Sequence, residues 1–184
     1  MLAFLDFEAS SLARHSYPIE VAWVFEDGTS EAHLIRPAPQ WDDWDASAEA
    51  IHHIPHETLL REGTPHDVLA RRMIAQLSGH DLTASAPSWD GKWLSALLRA
   101  AGLPRHSLRL RDTDEVQRDA VRGLLRDCVA PDRLEAEVER IRLHALAARP
   151  DVAMAHRALA DAQEERERWL AVRALAEQHR GAGG

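Results

Sequence analysis

The stretch from residue 2 to residue 8 constrains the fold more than any other part of the chain. It is a run of apolar residues that ends in Asp6-Phe7-Glu8. A continuous apolar run of this length is typical of a strand buried on both faces, and residues two apart in a strand lie on the same face. Asp6 and Glu8 are therefore expected to lie side by side, where two like charges favour a shared proton or a bound cation. Carboxylate oxygens suit Mg²⁺ and Mn²⁺, although carboxylates can also simply end a strand in water.

The residues that follow predict a sheet built around this strand. Residues 18–25 form a second apolar run, residues 26–29 (Glu-Asp-Gly-Thr) are typical of a hairpin turn, and residues 31–37 return as a third strand. These segments predict an antiparallel meander of three strands. Shorter strands are predicted within residues 81–86 and 108–113.

Helical patterns occupy much of the remaining chain. One helix is predicted to begin at Thr64-Pro65 and to end at Ser78-Gly79, and a second is predicted from Asp90 to the Gly102-Leu103-Pro104 stop. The length suits one well-buried domain, residues 1–179, followed by a flexible tail, residues 180–184. Three further helices are predicted over residues 115–128, 131–148 and 152–179.

Charge and composition narrow the classes of function. The net charge is −8, from 22 Lys and Arg against 30 Asp and Glu, and Lys92 is the only lysine. This disfavours tight non-specific binding to long duplex DNA, but it allows a short single strand held by metal ions, aromatic stacking and a few arginines. No apolar run approaches ~18 residues and no signal segment is evident, which predicts a cytoplasmic protein. Cys128, the single cysteine, excludes an internal disulfide and is predicted to be buried.

Three other segments carry candidate ligands. Asp90 lies where a short strand leads into a helix, and it is either a helix N-cap or a carboxylate that points to the end of the sheet. His156 and Asp161 are five residues apart, which on a helix separates them by about 140°. Both can face one site if His156 lies in a loop or first turn before the helix. The histidines of residues 52–56 suggest zinc, but Pro55 interrupts any helix there and matching ligands are lacking, so zinc is disfavoured.

Taken together, these pieces resemble the DEDDh branch of the 3′→5′ exonucleases, the family of the proofreading epsilon subunit of DNA polymerase III, RNase T and oligoribonuclease. Asp6-Phe7-Glu8 resembles the first motif, residues 85–94 the second, and residues 156–162 (His-Arg-Ala-Leu-Ala-Asp-Ala) the third. The resemblance spans residues 2–162. It implies an RNase H-like α/β fold, with a mixed sheet of about five strands and helices on both faces.

The resemblance also implies an activity and a set of site residues. The expected reaction is metal-dependent 3′→5′ hydrolysis of single-stranded DNA or RNA to nucleoside 5′-monophosphates, with His156 as general base. Four converging carboxylates would suit two divalent ions, Mg²⁺ or Mn²⁺, at ~3.5–4 Å. The partner would be a single-stranded 3′ end, and the apolar faces of the late helices permit a homodimer. The implied metal ligands are Asp6, Glu8, Asp90 and Asp161, and the implied substrate-binding residues are Ala9, Leu12 and Trp89.

Two departures from the family pattern leave alternatives open. Ser85 and Ala86 replace the usual His-Asn of the second motif, and Ser11 replaces a glycine after the first. Neither departure removes a metal ligand, but both affect how the terminal nucleotide is held. A nucleic-acid-binding or regulatory module without turnover is therefore one alternative, and an acidic interaction domain with coincidental motifs is another. The choice between DNA and RNA depends on how the 2′-hydroxyl is met.

Overall fold

A computed structural model describes residues 1–148 and 155–182 and shows a mixed six-stranded sheet. β1 and β2 are antiparallel, as are β2 and β3, so the predicted meander is confirmed. β5 and β6 run parallel to β1 on its other side, and the order across the sheet is β4-β3-β2-β1-β5-β6. The strands are β1 (Leu2–Ala9), β2 (Pro18–Phe25), β3 (Ser30–Arg36), β4 (Thr64–Pro65), β5 (Asp81–Ala84) and β6 (Leu110–Asp112).

The two-residue strand β4 corrects one prediction. Thr64-Pro65 was expected to open a helix, but these residues pair with Ile35 and Arg36 of β3. Pro65 has an extended backbone, with φ −52° and ψ 133°, and the helix begins at the next residue, His66. Proline suits an edge strand because it has no N–H to donate, so the sheet gains a short sixth strand at this edge.

Seven helices lie in the described part of the chain. The last of them begins later than predicted, at Ala158, and continues to Ala182, so it includes residues 180–182 of the predicted tail; residues 152–154 and 183–184 lie outside the described residues. The helices are α1 (Ala46–His52), α2 (His56–Glu62), α3 (His66–Leu77), α4 (Pro87–Ala100), α5 (Thr113–Leu125), α6 (Pro131–Ala147) and α7 (Ala158–Ala182).

Helices cover both faces of β1, as predicted. On one face, Leu5 belongs to a buried core with Leu69 of α3 and Leu97 of α4. On the other face, Phe4 packs against Trp169 of α7 with the ring centroids 5.9 Å apart. Side chains alternate between the faces of a strand. Asp6 and Glu8 therefore lie on the same face as Phe4, which is the α7 side of the sheet.

Cys128 is exposed, which contradicts the prediction that it is buried. Helix α5 ends at Leu125, so Cys128 lies in the turn before α6 and no longer follows the apolar face of the helix. Its Sγ contacts the carbonyl oxygen of Leu125 at 3.3 Å. Separately, no helix within residues 1–148 and 155–182 is both long and apolar enough to cross a membrane.

Candidate active site

A cavity of about 330 Å³ lies where β1 ends, between the segments that follow β1 and β5 and the segment that precedes α7. Because β1 and β5 are parallel, their C-terminal ends reach the same edge of the sheet. The volume is that of a small-molecule site. Its lining includes every residue for which a site role was predicted: Asp6, Glu8, Ala9, Leu12, Trp89, Asp90, His156 and Asp161.

Three of the four predicted metal ligands form a close group. Asp6, Glu8 and Asp161 each place one carboxylate oxygen within 4.8 Å of the others. Asp90 lies outside this trio, but it lines the same cavity and, after burial itself, its charge has the largest effect on Asp6. Within residues 1–148 and 155–182 this is the one cluster of metal-ligand type. The histidines of residues 52–56 do not form such a cluster.

Burial and mutual repulsion shift the pKa values of these carboxyls upward. Burial, and then the charges of Asp90, Glu8 and Asp161, raise the pKa of Asp6 to about 9. Burial and then Asp161 raise the pKa of Glu8 to about 8. Burial raises the pKa of Asp90 to about 7, against the lowering effect of backbone hydrogen bonds. At neutral pH the group therefore holds protons that free carboxylates release, unless a cation compensates its charge.

Asp90 lies in the first turn of α4, and the N-cap of that helix is Ala86. The alternative reading of Asp90 as the N-cap is therefore wrong. Its side chain is 2% exposed, and Oδ2 has no hydrogen-bond partner in the described part of the chain. A buried carboxylate oxygen without a donor is unfavourable, so this atom suits a cation ligand. The atoms that this group offers as metal ligands are all carboxylate oxygens, which fit hard divalent ions.

His156 lies in the bend before α7, with a left-handed backbone at φ 51°. Asp161 stands in the first turn of the helix. Its carboxylate accepts hydrogen bonds from the backbone N–H of Ala155, at 3.0 Å, and of Arg157, at 3.3 Å. The condition set by the five-residue spacing is thus met, because His156 precedes the helix and both side chains line the same cavity.

An ion pair between the buried Glu20 and the half-exposed Arg157 ties this bend to the sheet. Glu20 of β2 is 4% exposed, and its carboxylate accepts from Arg157 Nη2 at 2.7 Å and from Arg157 Nε at 3.1 Å. The same carboxylate accepts from the backbone N–H of Ala158 at 3.0 Å. Three donors around one carboxylate fix the start of α7, and with it the neighbouring His156, against β2.

Ser11, the departure from the first motif, anchors the segment after β1. The hydroxyls of Ser10 and Ser11 both donate to Asp43 Oδ2 at 2.7 Å. Ser11 Oγ also accepts from the backbone N–H of Ala13 at 2.9 Å. The next side chain, Leu12, is 71% exposed and lines the cavity. Ser11 therefore holds the backbone that presents Leu12.

Helix α4 supports the same segment from the other side. Lys92 Nζ donates to the carbonyl oxygen of Ala13 at 2.7 Å and to Ser16 Oγ at 2.8 Å. It also lies 4.8 Å from the ring centre of Trp89. Trp93 Nε1 donates to Ser16 Oγ at 3.0 Å. The exposed side chains of Trp89 and Leu12 thus form an apolar rim of the cavity. The backbone of the segment after β1 is held by the hydrogen bonds described above.

Several residues that line the cavity or act on the pKa values of its carboxyls were not singled out from the sequence. Glu165 lies one turn after Asp161, its charge raises the pKa of Asp6, and its own pKa is raised by burial. The i,i+4 spacing on a helix was the available signal. Ile51 and His52 of α1 also line the cavity, where the sequence had suggested His52 as a disfavoured zinc ligand.

Solved structures of exonuclease I share this fold. E. coli exonuclease I, in a zinc-bound complex with ssDNA, matches with a TM-score of 0.61 and 17% identity over 96% of this chain and 39% of that one. The same enzyme with a dT13 oligonucleotide matches with a TM-score of 0.63 and 16% identity, over 90% and 39% of the two chains. A moderately thermophilic exonuclease I from Methylocaldum szegediense matches with a TM-score of 0.54 and 16% identity, over 71% and 30%. No protein-family model matches the chain, and no curated protein matches its sequence.

These matches show that the chain has an RNase H-like α/β fold, as predicted. The exonuclease I structures therefore support the fold that the sequence resemblance implies. At identities of 15–17% the likeness establishes the fold. The chain spans 39% of the length of the two E. coli structures described above.

Proposed function

We propose that this protein is a metal-dependent 3′→5′ exonuclease of the DEDDh type, which hydrolyses single-stranded DNA or RNA to nucleoside 5′-monophosphates. The observation that carries the proposal is the convergence of three distant sequence segments on one cavity. Carboxylates from β1, α4 and α7 meet there beside His156. The shared fold and the ssDNA complexes of exonuclease I support the same reading.

Asp6, Glu8, Asp90 and Asp161 would hold two divalent ions, Mg²⁺ or Mn²⁺. When bound, such ions activate the attacking water and stabilise charge on the leaving 3′ oxygen. Divalent ions suit the site better than monovalent ions, because three adjacent carboxyls and Asp90 in the same cavity need a high compensating charge. The raised pKa values of Asp6 and Glu8 have the same cause, because buried and mutually repelling carboxylates are unstable when their charge is not compensated.

His156 would act as the general base. A histidine changes its charge near neutral pH and can accept a proton from water in the transition state. Its place in the bend before α7, rather than within the helix, lets the imidazole line the cavity beside Asp161. The Glu20–Arg157 pair holds the backbone of this bend, so the base is positioned before substrate arrives.

The rim of the cavity would hold the 3′ nucleotide. Leu12 is placed to wedge against the terminal base, Trp89 to wall the pocket, and the backbone of Ala9 to contact the 3′ hydroxyl. Apolar and aromatic surfaces bind unstacked bases without reading their sequence. A base paired within a duplex is not free to enter such a pocket, which favours single strands.

A catalytically silent binding module on the same fold is the second candidate. Ser85 and Ala86, which replace the usual His-Asn of the second motif, both line the cavity. Their small side chains change the wall that would grip the nucleotide. Such a module has no need of four carboxylates and a histidine together, so hydrolysis is the better supported function.

The deciding experiment is digestion of 5′-labelled single-stranded DNA and RNA oligonucleotides with Mg²⁺, Mn²⁺ or EDTA. We expect a ladder that shortens from the 3′ end, absent with EDTA and in His156→Ala and Asp161→Ala. Exposed His106→Ala and Asp127→Ala are the matched controls. Wild-type protein that binds the oligonucleotides but leaves them intact with both metals would establish the silent module instead.

A cytoplasmic location and a homodimer remain predictions.

A further inference from the structure

The imidazole of His52 has one nitrogen whose role is fixed by the fold. His52 is the last residue of α1, and its Nδ1 lies 3.1 Å from the backbone nitrogen of Ile54. A backbone N–H can only donate, so Nδ1 must be the acceptor and carries no proton. Burial lowers the pKa of His52, which agrees with a neutral ring. In a neutral ring with a bare Nδ1, the proton lies on Nε2.

This Nε2–H is a buried donor without a partner. His52 is 2% exposed, and Nε2 makes no hydrogen bond within residues 1–148 and 155–182. An unmatched buried donor is unfavourable, and such groups in native proteins call for an explanation. His52 lines the cavity of the candidate active site, on the α1 wall beside Ala48 and Ile51.

We propose that His52 is a substrate-binding residue whose Nε2–H donates a hydrogen bond to an acceptor atom of the terminal nucleoside, in its sugar or its base. The inference rests on the proposed function, since it assumes that a 3′ nucleotide occupies the cavity. The phosphate is the less suitable acceptor, because the acidic group of Asp6, Glu8 and Asp161 marks the place where cations and phosphate would meet. Ala48 and Ile51 line the cavity beside His52, and the negative charges of Glu49 and Glu20 act on its ring, so an uncharged acceptor suits Nε2–H better than an anion.

The two ring nitrogens can be tested separately. The amide oxygen of asparagine can take the place of Nδ1, whereas the amide nitrogen of glutamine can take the place of Nε2. His52→Asn therefore keeps the acceptor for the Ile54 N–H and loses the donor to the substrate. His52→Gln does the reverse. The neighbouring His53, exposed and left-handed at φ 56°, supplies the control His53→Asn, because asparagine tolerates that backbone conformation.

The measurement is the steady-state hydrolysis of a 5′-labelled oligonucleotide, together with the melting temperature of each variant. We expect His52→Asn to raise KM about 10-fold, with kcat changed less than about 3-fold and little change in melting temperature. His52→Gln should keep KM near the wild-type value while its melting temperature falls. The mononucleotide product should inhibit His52→Asn about 10-fold more weakly than wild type.

The possible results separate the two proposals. An active wild type with equal KM for His52→Asn, His52→Gln and His53→Asn would overturn the role of His52 and leave the exonuclease standing. A loss of stability in His52→Asn with unchanged KM would assign His52 a purely structural role and also overturn it. A wild type that neither cuts oligonucleotides nor binds mononucleotides would overturn both proposals.

Discussion

Replacement of Asp6 by asparagine should stabilise the metal-free protein. Burial, followed by the charges of Asp90 and Glu8, raises the pKa of Asp6 from its ordinary value of 3.8 to about 9 in the folded chain. Between these values the folded protein retains a proton that the unfolded chain has released, so stability falls as pH rises through this window. Each pKa unit corresponds to about 1.4 kcal/mol. At pH 7 the window is about three units wide, which puts the destabilisation by Asp6 at up to about 4 kcal/mol.

Asp6→Asn keeps the shape of the neutral side chain and removes its titration. In a protein of this size 1 kcal/mol corresponds to about 2–4 °C in melting temperature, so the variant should melt on the order of 10 °C higher in EDTA at pH 7. The gain should shrink toward pH 4 and grow toward pH 9. With Mg²⁺ or Mn²⁺ the order should reverse, because the wild type binds the ions and is stabilised by them.

Thermal unfolding followed by circular dichroism, at pH 5, 7 and 9 with EDTA or with Mn²⁺, measures both effects. Asp127→Asn is the control, since that side chain is 88% exposed and its nearest charged partner is the cation of Arg126 rather than another carboxylate. Equal melting temperatures of wild type and Asp6→Asn at every pH in EDTA would refute the assignment of a strained acidic group. An equal response of both proteins to Mn²⁺ would refute the metal site and favour coincidental motifs.

Three further predictions concern the start of α7, the packing of α2 on β3 and the rim of the cavity. Glu20→Gln should lower kcat by weakening the hold on Arg157, and should cost on the order of 2 kcal/mol in urea unfolding. Gly63→Ala should cost about 3 kcal/mol, because the new Cβ would lie 2.5 Å from the backbone nitrogen of Arg36; the melting temperature measures this. Leu12→Ala should leave stability within about 0.5 kcal/mol, since the side chain is 71% exposed, and should raise KM in the oligonucleotide assay.

The parts of the fold that local patterns control were predictable. The buried run of β1 and the hairpin turn before β3 define the meander, and strand alternation places Asp6 beside Glu8. The short helices α1 and α2 were not predicted, because seven residues give too little periodicity. Strand β4 was not predicted either, since its two residues are extended only through pairing with β3.

The same division holds for the site. The carboxylates and His156 predicted from motif order line one cavity, because each lies in or next to an element that local patterns predict. The Glu20–Arg157 pair joins residues 137 positions apart, and nothing local to either residue indicates the other. The left-handed turn at His53 closes α1 and brings the Ile54 N–H to Nδ1 of His52. The sequence of these histidines, considered only as possible metal ligands, does not indicate this contact or the unpaired Nε2–H.

The contact between β1 and α7 makes the site dependent on the order in which the chain is synthesised. β1 is synthesised before α7, so the cluster around Phe4 stays incomplete until Trp169 of the last described helix can pack on it. A growing chain thus carries Asp6 and Glu8 long before Asp161 and His156 exist. On the proposed function, a nascent polypeptide lacks both a metal ligand and the general base, and the capacity to cut arises only once the start of α7 has been synthesised.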